Sequence, residues 1–124
     1  MELGIKKTIT ERITENLLAC KVGSGDLKVF STPSMIAFME KASMELVKPY
    51  LNEGETTVGT KVDVCHLQAS LEGEIVTIIS ELTMIDRRRL IFNVQAYCND
   101  IKIGEGIHER FVVNNEKFMN KLRG

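Results

Sequence analysis

The sequence contains few of the residues that mark specialised protein classes. Tryptophan is absent, proline occurs twice, and the three cysteines, Cys20, Cys65 and Cys98, show no CxxC spacing. An odd number of scattered cysteines predicts reduced thiols in a cytoplasmic protein, with neither a zinc site nor a disulfide framework. No apolar run reaches the roughly 18 residues of a membrane span, and residues 1–7 lack the apolar stretch of a signal peptide.

No charge of one sign predominates. Lys and Arg number 16 against 17 Asp and Glu, which gives a formal net charge of −1. Nucleic-acid-binding proteins are usually basic, so we expect no such partner. The length of 124 residues and the 44% hydrophobic content predict one globular domain over residues 1–124, large enough to fold without a metal or a disulfide.

The clearest element is a helix predicted from Pro33 to about Tyr50. Thr32 before Pro33 fits an N-cap residue followed by proline at the first helical position. One face is apolar and the opposite face carries Lys41, Glu45 and Lys48. The apolar face consists of Met35, Met39, Ala42 and Leu46. Such a helix is expected to bury its apolar face against a sheet.

The remaining patterns predict strands. Residues 7–14 alternate loosely, residues 27–30 form a short strand candidate, and residues 115–122 fit a short C-terminal helix. Four β-branched segments with short breaks predict antiparallel strands that pair in succession as a meander: Thr57–Ala69, Ile75–Met84, Arg89–Cys98 and Ile101–Val113. One long helix beside such a sheet is an α+β design.

Two ionisable residues occupy unusual positions. Glu40 lies off the charged face of the predicted helix, among apolar and small neighbours, which places it at the edge of the core or in a pocket. His66 shares a strand face with Val62 and Val64. Each has a structural interpretation, as a boundary carboxylate or a satisfied core histidine, and a functional one, as a general base, nucleophile or proton shuttle.

Three further features have the same double interpretation. Gly59 opens a strand, where a glycine permits a bend or the close approach of a ligand. Alternation places His108 and Arg110 on one strand face, where the arginine can pair with Glu72 or Glu81 or bind a phosphate. The basic run of residues 87–89 lies at a predicted hairpin tip, usually a solvated turn.

Several segments, in order and with little gapping, resemble the hotdog-fold thioesterases of the fluoroacetyl-CoA thioesterase family. These segments are residues 29–40 (VFSTPSMIAFME), 57–66 (TVGTKVDVCH), 81–83 (ELT), 88–94 (RRLIFNV) and 103–110 (IGEGIHER). The resemblance implies a hotdog fold, in which a curved antiparallel sheet wraps a long central helix. It also implies a homodimer, or a tetramer of paired dimers, with active sites near the subunit interface.

The same resemblance implies hydrolysis of a small or medium acyl-CoA without a cofactor. The family's catalytic threonine, glutamate and histidine match Thr32, Glu40 and His66, and its substrate-binding glycine and arginine match Gly59 and Arg110. We therefore expect Glu40 from the helix and His66 from the sheet to meet in a cleft built by two subunits. In such a cleft Glu40 would activate water or attack the thioester itself, and His66 would transfer the proton.

The sequence departs from the fluoroacetyl-specific pattern in residues 20–28. This segment is short and poor in aromatic residues, whereas the fluoroacetyl-specific enzyme has a longer hydrophobic lid there. A more open pocket and a different acyl group are expected. Two alternatives on the same scaffold stay open: a non-catalytic module that binds acyl-CoA or an acyl carrier, and a hydratase or dehydratase. The hydratase ranks lower because no Asp and His pair in the hydratase manner on one element.

Overall fold

A computed structural model describes all residues 1–124. Its elements, in chain order, are β1 Lys6–Arg12, α1 Ala19–Val22, α2 Thr32–Val47, β2 Glu55–His66, β3 Ile75–Asp86, β4 Arg89–Cys98, β5 Ile101–Asn114 and α3 Asn115–Arg123. Short 3-10 helices cover Glu15–Leu17 and Lys48–Tyr50. The five strands form one antiparallel sheet, and α2 packs across one of its faces. The predicted α+β architecture of a helix on an antiparallel sheet is confirmed.

The strand order corrects part of the predicted meander. Strands β3, β4 and β5 pair in succession as expected, but β2 pairs with β5 rather than β3, and β3 pairs with β1. Alternation fixes which face a side chain occupies and does not fix the partner strand. Gly106 of β5 lies against the backbone of Asp63 and Val64, where a Cβ atom would collide with β2. Because β5 is its only partner, β2 is an edge strand of the sheet.

The start of α2 differs from the prediction by one residue. Ser31, not Thr32, is the N-cap, and its hydroxyl accepts a hydrogen bond from the Ser34 N–H at 3.2 Å. Thr32 and Pro33 both lie in the first helical turn, where proline is tolerated because its missing N–H has no intrahelical partner. The Thr32 hydroxyl is therefore free for another contact.

The segment before α2 is also less regular than predicted. Residues 27–30 form no strand, and only an isolated bridge joins Leu18 to Phe30. Gly23, at the end of α1, has the left-handed backbone that glycine adopts readily. This segment consists of loop and short helix, and it lines one cavity together with Thr32 at the start of α2.

The core forms between α2 and the inner face of the sheet, as the periodicity predicts. The helix residues Met35, Met39, Ala42 and Leu46 are all buried. Gly104 of β5 lets the helix approach closely, since a Cβ atom there would lie 2.5 Å from Met35 Sδ. On the polar side of α2, Lys41 forms an exposed ion pair with Glu11 of β1 at 2.7 Å. No helix of the protein is both long enough and apolar enough to cross a membrane.

Candidate active site

The first turn of α2 and the end of β2 bring together two of the predicted catalytic residues. Thr32 Oγ1 lies 2.8 Å from His66 Nδ1, within hydrogen-bonding distance. The contact exists because Ser31 caps the helix and leaves the threonine side chain available. We call these two residues the threonine–histidine pair.

The imidazole of His66 lies at the inner edge of a cavity. Phe30 packs edge-on against the ring, with centroids 6.1 Å apart. The adjoining cavity has a volume of about 290 Å³ and is lined by residues that include Thr32 and Leu67. Burial lowers the pKa of His66, and the nearby Gln68 backbone offsets part of that effect, so the ring is neutral at pH 7. Its Nε2 atom is shielded from solvent and has no hydrogen-bond partner within the chain.

A second group of polar side chains surrounds Gly59, which lies nearer the start of β2 than His66. Glu40 of α2 approaches Arg110 of β5, with Oε2 and Nη1 3.5 Å apart. The Glu40 side chain is 41% exposed, whereas the Arg110 side chain is 7% exposed. A Cβ atom at Gly59 would lie 2.7 Å from Glu40 Oε2, so the missing side chain makes room for the carboxylate. The predicted position of Glu40, at the edge of the core, is confirmed.

Arg110 is held by more than the carboxylate. Its Nε donates to Thr57 Oγ1 at 2.7 Å, and its Nη2 donates to the Thr57 carbonyl at 2.9 Å. Its Nη1 also lies 3.2 Å from His108 Nε2. The expected pairing of this arginine with Glu72 or Glu81 is wrong, because its side chain turns inward beneath α2. We call Glu40, Thr57, His108 and Arg110 the glutamate cluster.

The threonine–histidine pair and the glutamate cluster are separate within one chain. Glu40 lies eight positions after Thr32 on α2, which corresponds to about 12 Å along the helix axis. Glu40 does not line the cavity beside His66. Gly59 and His66 occupy different parts of β2, on either side of a bulge between Gly59 and Lys61. The chain thus carries two incomplete halves of the predicted constellation.

Thr57 and His108 were not predicted as site residues. The placement of His108 and Arg110 on one inner strand face is confirmed, since both are buried. That shared face was the available signal for His108. Thr57 gave no signal, because its contact with Arg110 depends on the pairing of β2 with β5.

The other sequence features lie outside these two groups. Residues 87–89 form the hairpin tip between β3 and β4, as predicted. Arg88 lies 3.5 Å from Glu55, and Arg89 lies 3.3 Å from Glu109, so both charges have acidic neighbours. Nowhere does the structure gather three His, Cys, Asp or Glu side chains that could hold a metal ion.

Helix α2 packed across the five-stranded antiparallel sheet, with Thr32 at the start of the helix in contact with His66, defines a hotdog-type thioesterase. A hot-dog-like protein from Thermanaerovibrio acidaminovorans has the same fold, with a TM-score of 0.90 at 18% identity over 98% of this chain and 90% of that chain. The sequence profile of the family described as fluoroacetyl-CoA-specific thioesterase matches residues 13–116.

Two relatives narrow the class to a family. The fluoroacetyl-CoA thioesterase of Streptantibioticus cattleyicolor is 41% identical over 96 residues, 77% of this chain and 69% of that protein. The solved structure of the fluoroacetyl-CoA thioesterase FlK superposes with a TM-score of 0.94 at 32% identity, covering 99% of this chain and 96% of that chain. The chain belongs to the fluoroacetyl-CoA thioesterase family.

Proposed function

We propose that the protein is a cytoplasmic, homodimeric acyl-CoA thioesterase whose active site combines the glutamate cluster of one subunit with the threonine–histidine pair of the other. One observation carries this proposal: within the chain, the predicted catalytic residues lie in two separate groups, one near each end of the edge strand β2. Either half alone lacks a group that thioester hydrolysis needs, either the carboxylate or the imidazole.

Strand β2 offers the surface for such a dimer. Its outer edge has no partner strand within the chain, and residues 59–63 in its middle are exposed. Val62 is 40% exposed although it belongs to the inner face. An unpaired strand edge is a template for pairing with another chain, and two identical edges pair antiparallel about a two-fold axis.

A two-fold axis near the middle of β2 would unite the two halves. Antiparallel pairing sets the Gly59 end of one strand against the His66 end of its partner. Each Glu40 would then approach His66 of the partner subunit, and two equivalent sites would result. The sheets of the two subunits would join into one continuous sheet.

The roles of the residues follow from their contacts. Only Oε2 of Glu40 is bound by Arg110, which leaves Oε1 free to accept a proton from water. The water oxygen bonds to the thioester carbonyl carbon, the carbon–sulfur bond breaks, and the products are a carboxylic acid and CoA. His66 of the partner subunit, neutral at the outset, would accept through Nε2 the proton that Glu40 took from water and release it to the departing sulfur, which returns Glu40 and His66 to their starting states, while Thr32 holds Nδ1.

Two residues complete the substrate-binding part of the proposal. Gly59 carries no side chain, so the thioester oxygen can approach its backbone at the edge of the space bordered by Glu40, Arg110 and His108. The Nη1 group of Arg110 borders this space and can stabilise developing negative charge.

The acyl group is proposed to be small or medium in size. The segment over the cavity carries Val22 and Leu27, which are exposed and do not close the cavity with an aromatic lid. An open entrance weakens the basis for fluoroacetyl selectivity. We therefore expect a wider range of acyl chains than a fluoroacetyl-specific enzyme accepts.

A panel of acyl-CoA substrates tests the proposal. The purified protein is incubated with fluoroacetyl-, acetyl-, butyryl-, hexanoyl- and decanoyl-CoA, and release of the free thiol is followed with a thiol reagent. Turnover is expected with at least one short or medium chain. Saturable binding without thiol release for every chain length would instead identify a non-catalytic binding module.

A further inference from the structure

His108 is the most deeply buried ionisable side chain near the site, and it uses both ring nitrogens. Its residue exposure is 1%, and its ring stacks on Phe92 with centroids 6.1 Å apart. Nδ1 lies 2.8 Å from the Lys61 carbonyl oxygen, and Nε2 lies 3.2 Å from Arg110 Nη1. Buried polar atoms are normally hydrogen-bonded, and here the identity of the second partner, an arginine that also contacts Glu40, connects the histidine to the site.

The two partners determine the protonation of the ring. A carbonyl oxygen can only accept, so Nδ1 carries the hydrogen and donates it to Lys61. A guanidinium can only donate, so Nε2 is unprotonated and accepts from Arg110. Burial lowers the pKa of His108, and the positive charge of Arg110 lowers it further, in keeping with a neutral ring.

This arrangement controls the direction of one guanidinium nitrogen. Nη1 of Arg110 is the atom that contacts both His108 and Glu40. Thr57 holds the Nε and Nη2 side of the same group. Without an acceptor at His108 Nε2, Nη1 would lose one of the two contacts that orient it toward the carboxylate.

We propose that His108 is a positioning residue that, through Arg110, holds the Glu40 carboxylate beside Gly59 in its reactive place. The inference rests on the proposed function, because it assigns Glu40 a part in the chemistry. His108 itself does not touch the substrate. Through the Lys61 carbonyl, just beyond the bulge in β2, it also links this orientation to the edge strand.

Two amide substitutions separate the two ring nitrogens. In His108→Gln the side-chain oxygen can take the place of Nε2 and accept from Arg110, whereas in His108→Asn the amide nitrogen takes the place of Nδ1 and bonds only Lys61. We expect His108→Asn to lower kcat by about ten- to a hundredfold, because displacement of a catalytic group by about 1 Å has effects of that size. His108→Gln should retain most of the wild-type kcat, and KM should change little in both variants.

Ser80→Ala serves as the matched control. Ser80 is fully buried and bonded to Ser43 at 2.8 Å, outside both halves of the site. It should lose stability without a change in kcat. Equal kcat in His108→Asn and His108→Gln, whether both normal or both impaired, would overturn the proposal.

A second readout keeps the test independent of turnover. The side-chain ¹⁵N–¹H signals of Arg110 report whether its N–H groups are held. We expect protected Nη signals in the wild type and in His108→Gln, and averaged, rapidly exchanging signals in His108→Asn. If the wild type hydrolyses no thioester but His108→Asn still loses these signals, the proposed function alone is refuted. Unchanged signals in His108→Asn would refute the role of His108.

Discussion

The two halves of the site differ in how completely their polar groups are paired. In the glutamate cluster, Arg110 donates from Nε, Nη1 and Nη2, and His108 uses both ring nitrogens. In the threonine–histidine pair, one hydrogen bond joins the residues, and Nε2 of His66 has no partner in the chain. Buried polar atoms are rarely left unpaired in native proteins. The comparison indicates one half in which the polar groups around the carboxylate are paired and one half in which a buried ring nitrogen has no partner.

Under the proposed function, this difference gives the two groups of residues distinct tasks. A dense network restricts the movement of its members, which suits a residue that must be pre-oriented for reaction. A single contact at Nδ1 orients the ring of His66, and under the proposed function Nε2 is the nitrogen that exchanges a proton. Changes to either half should therefore affect turnover, but through different residues and by different amounts.

Removal of the central group of either half has the largest expected effect. Glu40→Ala and His66→Ala should each lower kcat by about a hundredfold or more, because each removes a positioned acid or base. The dimer should persist, as neither side chain is needed to pair the β2 edges. Rates come from thiol release and the assembly state from light scattering, and near-normal rates in both variants would contradict the assignment of the two halves.

Filling the space at Gly59 should weaken the glutamate cluster alone. In Gly59→Ala the new Cβ atom would lie 2.7 Å from Glu40 Oε2, so the carboxylate must move. We expect kcat to fall by about tenfold or more through misplacement of this group. Thr8→Ala, at an exposed position on β1 at the opposite edge of the sheet, is the control. A Gly59→Ala crystal structure with Glu40 in place, combined with normal kcat, would show that the open space has no role.

The other half is tested at the threonine hydroxyl. Thr32→Val keeps the shape of the side chain but removes the bond to His66 Nδ1, whereas Thr32→Ser keeps the hydroxyl. Loss of a neutral hydrogen bond is worth about 1 kcal/mol, so we expect roughly a fivefold loss of kcat in Thr32→Val and a smaller loss in Thr32→Ser. Identical kinetics of the two variants would mean that the hydroxyl does not orient the histidine.

The smallest expected effect concerns stability against pH. Burial lowers the pKa of both His66 and His108 below the usual value of 6.5, so the unfolded chain binds protons more readily than the folded one. The contribution of the two neutral histidines to the free energy of unfolding should therefore be complete well above pH 6.5. The free energy of unfolding should fall on acidification from pH 7 to pH 5. Urea titrations at these pH values measure it. Because His108 is more deeply buried than His66, His108→Gln should reduce this dependence more than His66→Gln does, and the reverse order would contradict the comparison.

The helix and its residues were predictable from local rules. The apolar spacing of Met35, Met39 and Ala42 placed the buried face of α2, and the same geometry placed Glu40 at the edge of the core. The cap was misplaced by one residue because Ser31 and Thr32 are both good capping residues and Pro33 fits either choice.

Long-range pairing limited the prediction of the sheet and of the glutamate cluster. Alternation placed His108 and Arg110 on one face, yet the partner of Arg110 depends on β2 lying beside β5. Strand partners are set by packing of the whole chain, which a local pattern does not contain. Thr32, Glu40 and His66 were matched through family resemblance. Only the three-dimensional structure shows that Thr32 and His66 lie at one end of β2 and Glu40 lies near the other.

A mixed dimer tests most directly whether the two halves meet across the β2 edge. One subunit carries Glu40→Ala, the other carries His66→Ala, and two affinity tags isolate the mixed species. If each site takes its carboxylate from one subunit and its imidazole from the other, one site has both defects and the other has none, so we predict about half of the wild-type activity per dimer. A mixed dimer as inactive as the two parent variants would contradict the account, because both groups would then act within one chain.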